Sequence, residues 1–356
     1  MSDYLLPRLQ ALAPYTPGEQ PQDKRYLKLN TNESPFPPSP MVLDALSREQ
    51  VSALNLYPDP SCAALKRAIA DEYGLAPENV FVGNGSDEVL GFSFMAYADA
   101  AHPMVIPSVS YGFYQVYAAL LGAPARKIPL REDFTVPVEP FLSCGGMVAI
   151  ANPNAPTGIA MALPDVERIV SSNPKNIVLI DEAYVDFGGE SALPLLSKYH
   201  NLLIVRTFSK SRSLAGGRLG YALANQAIIS DLERVKFSFH PYSINRLTIL
   251  AGVAALSDKP YFERCVREIC RVRVETSNQL LELGFRVTPS STNFLFASPP
   301  SRDGRGYYEA LRQRGILVRY FAQETLTEYV RITVGTQEQM ERLLFATKEL
   351  IEEGKA

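Results

Sequence analysis

Five short, continuous apolar runs, separated by segments of helical period, restrict what this chain can fold into. They are Val80-Phe-Val82, Pro103-Met-Val-Ile106, Met147-Val-Ala-Ile150, Ile177-Val-Leu-Ile180 and Leu202-Leu-Ile-Val205. A strand with water on one face alternates polar and apolar residues, whereas a strand covered on both faces has no need to. The runs therefore predict strands buried on both sides. Between them, Ser61 to Tyr73 has the mixed apolar and charged texture of an amphipathic helix, and Asp87 to Ala98 is more apolar. Strands alternating with helices predict an α/β fold: a mostly parallel central sheet with helices on both faces.

The texture changes towards both ends. The first forty residues are crowded with proline and polar residues, which predicts an extended arm with few helices. A long stretch of helical period runs from about Pro260 to Leu283 and stops at Gly284. Beyond it, Phe285-Arg-Val, Asn293-Phe-Leu-Phe, Ile316-Leu-Val-Arg319 and Tyr329 to Val334 read as more alternating strands separated by helices. At 356 residues the chain exceeds one compact core. The expected division is an N-terminal arm at 1–45, a large domain at 46–255 and a small α+β domain at 256–356. The arm is expected to pack with the small domain.

Composition excludes several functions. The formal charge is −3 and no Lys/Arg run reaches five residues, which leaves no footprint for nucleic acid or a membrane surface. Cys62, Cys144, Cys265 and Cys270 form no C-x-x-C pair, and His102, His200 and His240 form no H-E-x-x-H. Neither a metal site nor a disulfide framework is expected. The opening MSDYLLPRLQALAPY lacks a basic stretch followed by a long apolar core, and no apolar run reaches the roughly 18 residues of a membrane span. The expected location is the cytoplasm.

In open α/β sheets, ligands bind beyond the carboxyl ends of the strands. Four of the runs lead into residues that carry chemistry. Val80-Phe-Val82 enters Gly83-Asn-Gly85-Ser86-Asp87-Glu88, which alone also reads as a strand-to-helix turn with Ser86 as N-cap. Met147-Val-Ala-Ile150 enters Asn152-Pro-Asn154-Ala-Pro-Thr-Gly158. Ile177-Val-Leu-Ile180 enters Asp181-Glu-Ala-Tyr184, and Leu202-Leu-Ile-Val205 enters Arg206-Thr207-Phe-Ser209-Lys210. Each segment alone also reads as a turn, a cap or a surface charge; their shared rim is the signal.

A lysine that forms a Schiff base needs a carbonyl partner, and a carboxylate on the same rim suits a pyridinium nitrogen. Gly85 permits close backbone approach. Amides at a helix start, the hydroxyls of Ser86, Thr207 and Ser209, and the cation Arg218 suit a phosphate. Asn154 and Tyr184 suit a ring hydroxyl. Together these describe pyridoxal phosphate. A dinucleotide site is disfavoured because Glu88 stands at the third glycine of G-x-G-x-x-G, where it would face close helix–strand packing.

These segments, with Gly217-Arg-Leu-Gly220, resemble the fold-type I pyridoxal-phosphate aminotransferases. Lys28-Leu-Asn-Thr-Asn32-Glu33, Tyr57-Pro-Asp-Pro60, Tyr111-Gly-Phe-Tyr114 and Val330-Arg-Ile-Thr-Val-Gly335 narrow the resemblance to the histidinol-phosphate branch, over nearly the whole chain. It implies Lys210 as the Schiff-base lysine and proton carrier and Asp181 as partner of the ring nitrogen. Asn154 and Tyr184 hold the ring hydroxyl, and Tyr111 stacks on the ring. Ser86, Asp87 (through its amide), Ser209 and Arg218 surround the phosphate, which Tyr57 reaches from the neighbouring subunit of a homodimer. Arg331 and Arg319 bind the anionic end of the substrate, with Tyr15 and Asn32 beside them. The implied reaction moves an amino group from a small-molecule donor to a 2-oxo acid, histidinol phosphate and 2-oxoglutarate being the expected pair. An aromatic amino-acid aminotransferase or a threonine-phosphate decarboxylase would use the same cofactor residues. Two departures, Pro241-Tyr-Ser-Ile-Asn245 and Asn154-Ala-Pro-Thr-Gly158 for the family's Pro-Tyr-Asn-Val-Asn and Asn-Asn-Pro-Thr-Gly, bear on specificity.

Overall fold

A computed structural model describes residues 4–10 and 12–356. In chain order the strands are β1 (Leu27–Lys28), β2 (Val80–Gly83), β3 (Met104–Pro107), β4 (Ala125–Ile128), β5 (Met147–Ala151), β6 (Val178–Asp181), β7 (Leu202–Thr207), β8 (Gly220–Ala224), β9 (Arg286–Val287), β10 (Phe294–Ser298), β11 (Ile316–Leu317), β12 (Arg319–Tyr320) and β13 (Val330–Thr333). All five apolar runs are strands. They lie in one seven-stranded sheet of order β2-β8-β7-β6-β5-β3-β4.

The sheet is parallel from β7 through β4, and β8 runs antiparallel to both β7 and β2. Two reversals bring β2 back parallel to the rest. The carboxyl ends of β2, β5, β6 and β7 therefore meet at one rim, as the sequence leads one to expect. Strand alternation divides the sheet's side chains between two cores. Phe81, Ala149, Leu179, Leu203 and Ala222 fill one face. Val82, Val148, Ile180, Ile204 and Leu223 fill the other.

Two strands are invisible to a search for apolar runs. β4 is Ala-Arg-Lys-Ile at the sheet edge, where its charged residues face water and discourage further pairing. β8 is fully buried, but Gly-Tyr-Ala-Leu-Ala has the small residues of a close-packed crossing rather than a β-branched run.

The helices follow the expected pattern. Ala63–Tyr73 buries Leu65, Ile69 and Ala70 on one side and ends at Gly74, φ 64°. Ser86–Tyr97 follows β2 directly. The alternative reading of Ser86 as the cap does not hold: Gly85, at φ 86°, is the flanking residue and Ser86 is the first helical one. Gly85 has no side chain to cap with, so the amides of the first turn stay available to a ligand.

A second, antiparallel sheet has the order β12-β13-β10-β9. Helices Lys259–Glu282 and Gln337–Glu352 cover it, and Ile269, Val272, Leu280, Leu295, Ile332 and Leu343 share its core. Leu27 and Leu29 of the N-terminal segment enter the same core. The expected strand Ile316–Arg319 is two strands, because the chain changes partner at Val318. β11 pairs parallel with β1, and β12 pairs with β13. After β1 the chain crosses towards the rim, where Asn32 N donates to Thr333 Oγ1 at 2.9 Å. Among the described residues no helix is long and apolar enough to cross a membrane.

Candidate active site

Two adjoining cavities open on the rim. One, of about 340 Å³, is lined by Ser86, Asp87, Tyr111, Asp181, Tyr184, Thr207, Ser209, Lys210 and Arg218 among others. The second, of about 410 Å³, carries Tyr15, Asn32, Arg319 and Arg331. Thr31, Tyr111, Ala155, Tyr184 and Lys210 line both. Lys210 thus stands where the two spaces join. Its Nζ donates to Thr31 O at 3.3 Å and lies 5.8 Å from the centre of the Tyr184 ring. The Tyr184 hydroxyl accepts from Asn32 Nδ2 at 2.9 Å, so the N-terminal crossing fixes this ring.

Asp181 ends β6 with 5 % of its surface exposed. Its carboxylate accepts from the Tyr114 hydroxyl at 2.8 Å and from Ala183 N at 3.1 Å. Burial pushes its carboxyl up to about 6, against the lowering effect of these two donors. No cationic side chain of the described residues pairs with it. A buried carboxylate of this kind is complementary to a cationic N–H on a ligand.

At the edge of the first cavity, Arg218 Nη2 pairs with Asp87 Oδ2 at 3.0 Å. Tyr111 donates its hydroxyl to Asp87 Oδ1 at 2.7 Å. Burial and the Asp87 charge push the Tyr111 hydroxyl far above its ordinary range. The Arg218 guanidinium covers Gly85 so closely that an added Cβ there would lie 2.5 Å from Nη2. Opposite, a Cβ on Gly220 would stand 2.2 Å from Ser86 N. Glycine at both positions keeps backbone amides, hydroxyls and one guanidinium within a single concave cup.

In the second cavity Arg331 is half-buried, and desolvation pulls its guanidinium below the usual value. Its Nη2 donates to Asn30 O at 3.0 Å, while Nε has no hydrogen-bond partner. Arg319 donates to Thr16 O and Pro17 O at 3.0 and 3.1 Å. Neither arginine forms an ion pair among the described residues. Tyr15 stacks on Phe113, with centroids 4.3 Å apart, and lies 6.1 Å from Tyr111. An aromatic wall therefore faces two guanidiniums.

This fold and site have known counterparts. The family described as aminotransferase class I and II matches residues 24–346. A histidinol-phosphate aminotransferase of Brachyspira hyodysenteriae is 46% identical over 352 residues, covering 99% of each chain. One of Chromohalobacter salexigens is 48% identical over 346 residues, covering 97% of this chain and 98% of its own. The chain belongs to the class I and II aminotransferases. The crystal structure of histidinol-phosphate aminotransferase from Sinorhizobium meliloti in complex with pyridoxal-5'-phosphate superposes with a TM-score of 0.90 at 26% identity, covering 99% of each chain. The protein is a fold-type I transaminase, and pyridoxal 5'-phosphate is its cofactor.

The first cavity fits an aminotransferase cofactor. Asp181 has room for a cationic ring nitrogen, Lys210 faces the junction of the cavities, and the cup at Gly85 and Gly220 suits a phosphate. Three expected residues stand apart from this cavity. Gly85 lies beneath Arg218 rather than in the lining. Asn154 is buried and lines neither cavity, donating to Val109 O and Thr157 Oγ1, both at 3.1 Å. Tyr57 is 80 % exposed and stacks on Tyr242, with centroids 4.7 Å apart.

Other residues of the site also stand within motifs of the sequence. Tyr114 lies three residues after Tyr111 in the same motif. Gly220 closes Gly217-Arg-Leu-Gly220. Glu88 does not face the helix–strand packing, as its place in the glycine pattern suggests. Its Oε2 turns back to accept from Asn84 N at 2.6 Å and from the Ser243 hydroxyl at 2.7 Å, bracing the loop before the helix. The serine departure in Pro241-Tyr-Ser-Ile-Asn245 is therefore a support of this loop.

Proposed function

We propose that this aminotransferase moves the amino group of histidinol phosphate to 2-oxoglutarate, giving imidazole acetol phosphate and glutamate in histidine biosynthesis. The observation that carries the reading is the second cavity: two arginines without acidic partners face an aromatic wall beside Lys210. Histidinol phosphate offers an anion and a flat ring, and 2-oxoglutarate offers carboxylates to the same guanidiniums. When bound, the protonated pyridine ring of the cofactor draws electrons away from the carbon that bears the amino group.

The chain's own residues do the rest. Lys210 anchors the cofactor covalently and, once released, carries the proton to and from the reacting carbon. Asp181 holds the ring nitrogen protonated. Tyr184 holds the ring oxygen, and Tyr111 covers the ring. Ser86, the Asp87 amide, Thr207, Ser209 and Arg218 hold the phosphate. Arg331 and Arg319 orient the substrate anion, with Tyr15 and Asn32 closing the cavity from the N-terminal side.

We further propose a homodimer in which Tyr57 completes the phosphate site of the neighbouring subunit. Its high exposure, with that of Leu54, Leu56 and Tyr242 nearby in the sequence or by stacking, supports this. The division into arm 1–45, large domain 46–255 and small domain 256–356 is our assignment, supported by the separate cores of the two sheets. Four free thiols suit a cytoplasmic enzyme.

Rates with histidinol phosphate, phenylalanine and threonine phosphate, each with 2-oxoglutarate, test the substrate. Histidinol phosphate is expected to give the highest kcat/KM. A preference for phenylalanine would assign an aromatic aminotransferase, and release of carbon dioxide from threonine phosphate a decarboxylase. Lys210→Ala is expected to lower turnover by about 100- to 10,000-fold; full turnover would overturn the assignment of Lys210.

A further inference from the structure

Asp181 and Glu182 are neighbours at the end of β6, and both are buried, yet among the described residues only one has a cation. Alternation sends Asp181 to the cofactor side and Glu182 to the opposite face of the sheet. There Arg206 of β7 meets it: Nε and Nη2 lie 3.0 and 2.7 Å from Glu182 Oε2. Ala192 N and the Ser191 hydroxyl complete the carboxylate's partners at 2.6 and 2.8 Å. The same guanidinium donates from Nη1 to the Tyr73 hydroxyl at 3.1 Å and lies 3.6 Å from Asp186 Oδ1. Asp186 Oδ2 accepts from the Ser211 hydroxyl at 2.5 Å. Ser211 directly follows Lys210, and Asp186 stands two residues after Tyr184. One buried cation therefore joins the segments that carry Asp181, Tyr184 and Lys210, from behind and without lining the cavity.

We propose that Arg206 is a positioning residue of the cofactor site, which neutralises Glu182 so that Asp181 remains the uncompensated carboxylate of the strand end, and which holds that end against the Lys210 loop. The proposal rests on Asp181 facing the cofactor's ring nitrogen. Charges in such a dry setting act strongly on one another, and a buried carboxylate stripped of its cation is costly. Without Arg206, the Glu182 charge would repel that of Asp181 and disfavour its ionised form. A purely structural ion pair would not distinguish the charge on Glu182 from its shape.

The test uses Arg206→Met, Arg206→Lys, Arg206→Gln and the double variant Glu182→Gln/Arg206→Met. Cofactor affinity is read by titrating cofactor-free protein with pyridoxal phosphate and following absorbance. The kcat and the KM for the amino donor are measured on the loaded enzyme. Arg206→Met is expected to weaken cofactor binding at least about tenfold and to lower kcat, with the donor KM little changed. The double variant is expected to recover most of the loss, because the repelling charge has gone. A double variant as impaired as Arg206→Met overturns the proposal, as does Arg206→Met with unaltered affinity. Should Arg206→Met not fold, the milder pair decides: Arg206→Gln must bind the cofactor more weakly than Arg206→Lys, and equal binding overturns the proposal. Asp181→Asn separates the premise from the inference. Unchanged affinity in Asp181→Asn overturns both, whereas affinity lost there but kept in Arg206→Met overturns only the role of Arg206.

Discussion

Tyr114, without solvent access and outside the lining of the cofactor cavity, donates a 2.8 Å hydrogen bond to Asp181 Oδ2. Among the described residues the Asp181 carboxylate has only one other donor, Ala183 N. Tyr114→Phe keeps the ring and its edge-on contact with Phe94 but removes that bond. A hydrogen bond to a charged group contributes about 1.5–3 kcal/mol, so cofactor affinity should fall roughly 10- to 100-fold. Absorbance titration of the cofactor-free variant measures this; wild-type affinity would mean that the bond does not support the charged form of Asp181.

Asp181 also makes stability depend on pH. Burial raises its carboxyl to about 6 from the ordinary 3.8, so the cofactor-free fold keeps a proton that the unfolded chain has lost. The resulting stability is full below pH 3.8 and disappears as the pH rises through 6. The difference is roughly 3 kcal/mol. Asp181→Asn carries no such charge. Urea unfolding of the cofactor-free proteins should find the two equally stable near the lower limit and the variant more stable by roughly that amount at neutral pH. A wild type as stable as the variant at neutral pH would contradict the buried, unpaired carboxylate. With cofactor bound, the order should reverse.

The rim was legible in the sequence because a doubly buried strand leaves a continuous apolar run, and the residue after it must lie at the strand's end. Asp181, Thr207 and Lys210 follow from that alone. Tyr114 and Arg206 do not. A tyrosine in an apolar helix start looks like core, and an arginine inside a strand gives no sign of which face it takes. Only the register of β6 against β7 shows that Arg206 meets Glu182 while Asp181 turns the other way. β8 escaped because its small residues serve a crossing under Ser86. Tyr57 and Asn154 carry motif signals without positions in the cavity of this chain.

Arg331 has no carboxylate to hold it among the described residues, and its Nε has no partner. An incoming anion can therefore form a bond that the free protein lacks. Arg331→Ala should raise the KM for both the amino donor and 2-oxoglutarate by about 10- to 150-fold, since both place an anion there. The absorbance of the bound cofactor should not change, because Arg331 lines only the second cavity. An unchanged KM for the acceptor would place the anion site elsewhere, with Arg319 the next residue to vary.

Tyr57 allows a test of shared sites. If it completes the neighbour's phosphate site, a Tyr57→Ala subunit damages its partner's site, whereas a Lys210→Ala subunit damages its own. Each variant alone should be poor at limiting cofactor. In a mixed dimer, however, the Tyr57→Ala subunit retains Lys210 and receives an intact Tyr57 from its partner. Refolding the two variants together in equal amounts should restore roughly a quarter of the wild-type sites, because half of the dimers are mixed and each holds one complete site. No recovery above the mean of the separate variants would place Tyr57 in its own subunit's site or outside the site altogether.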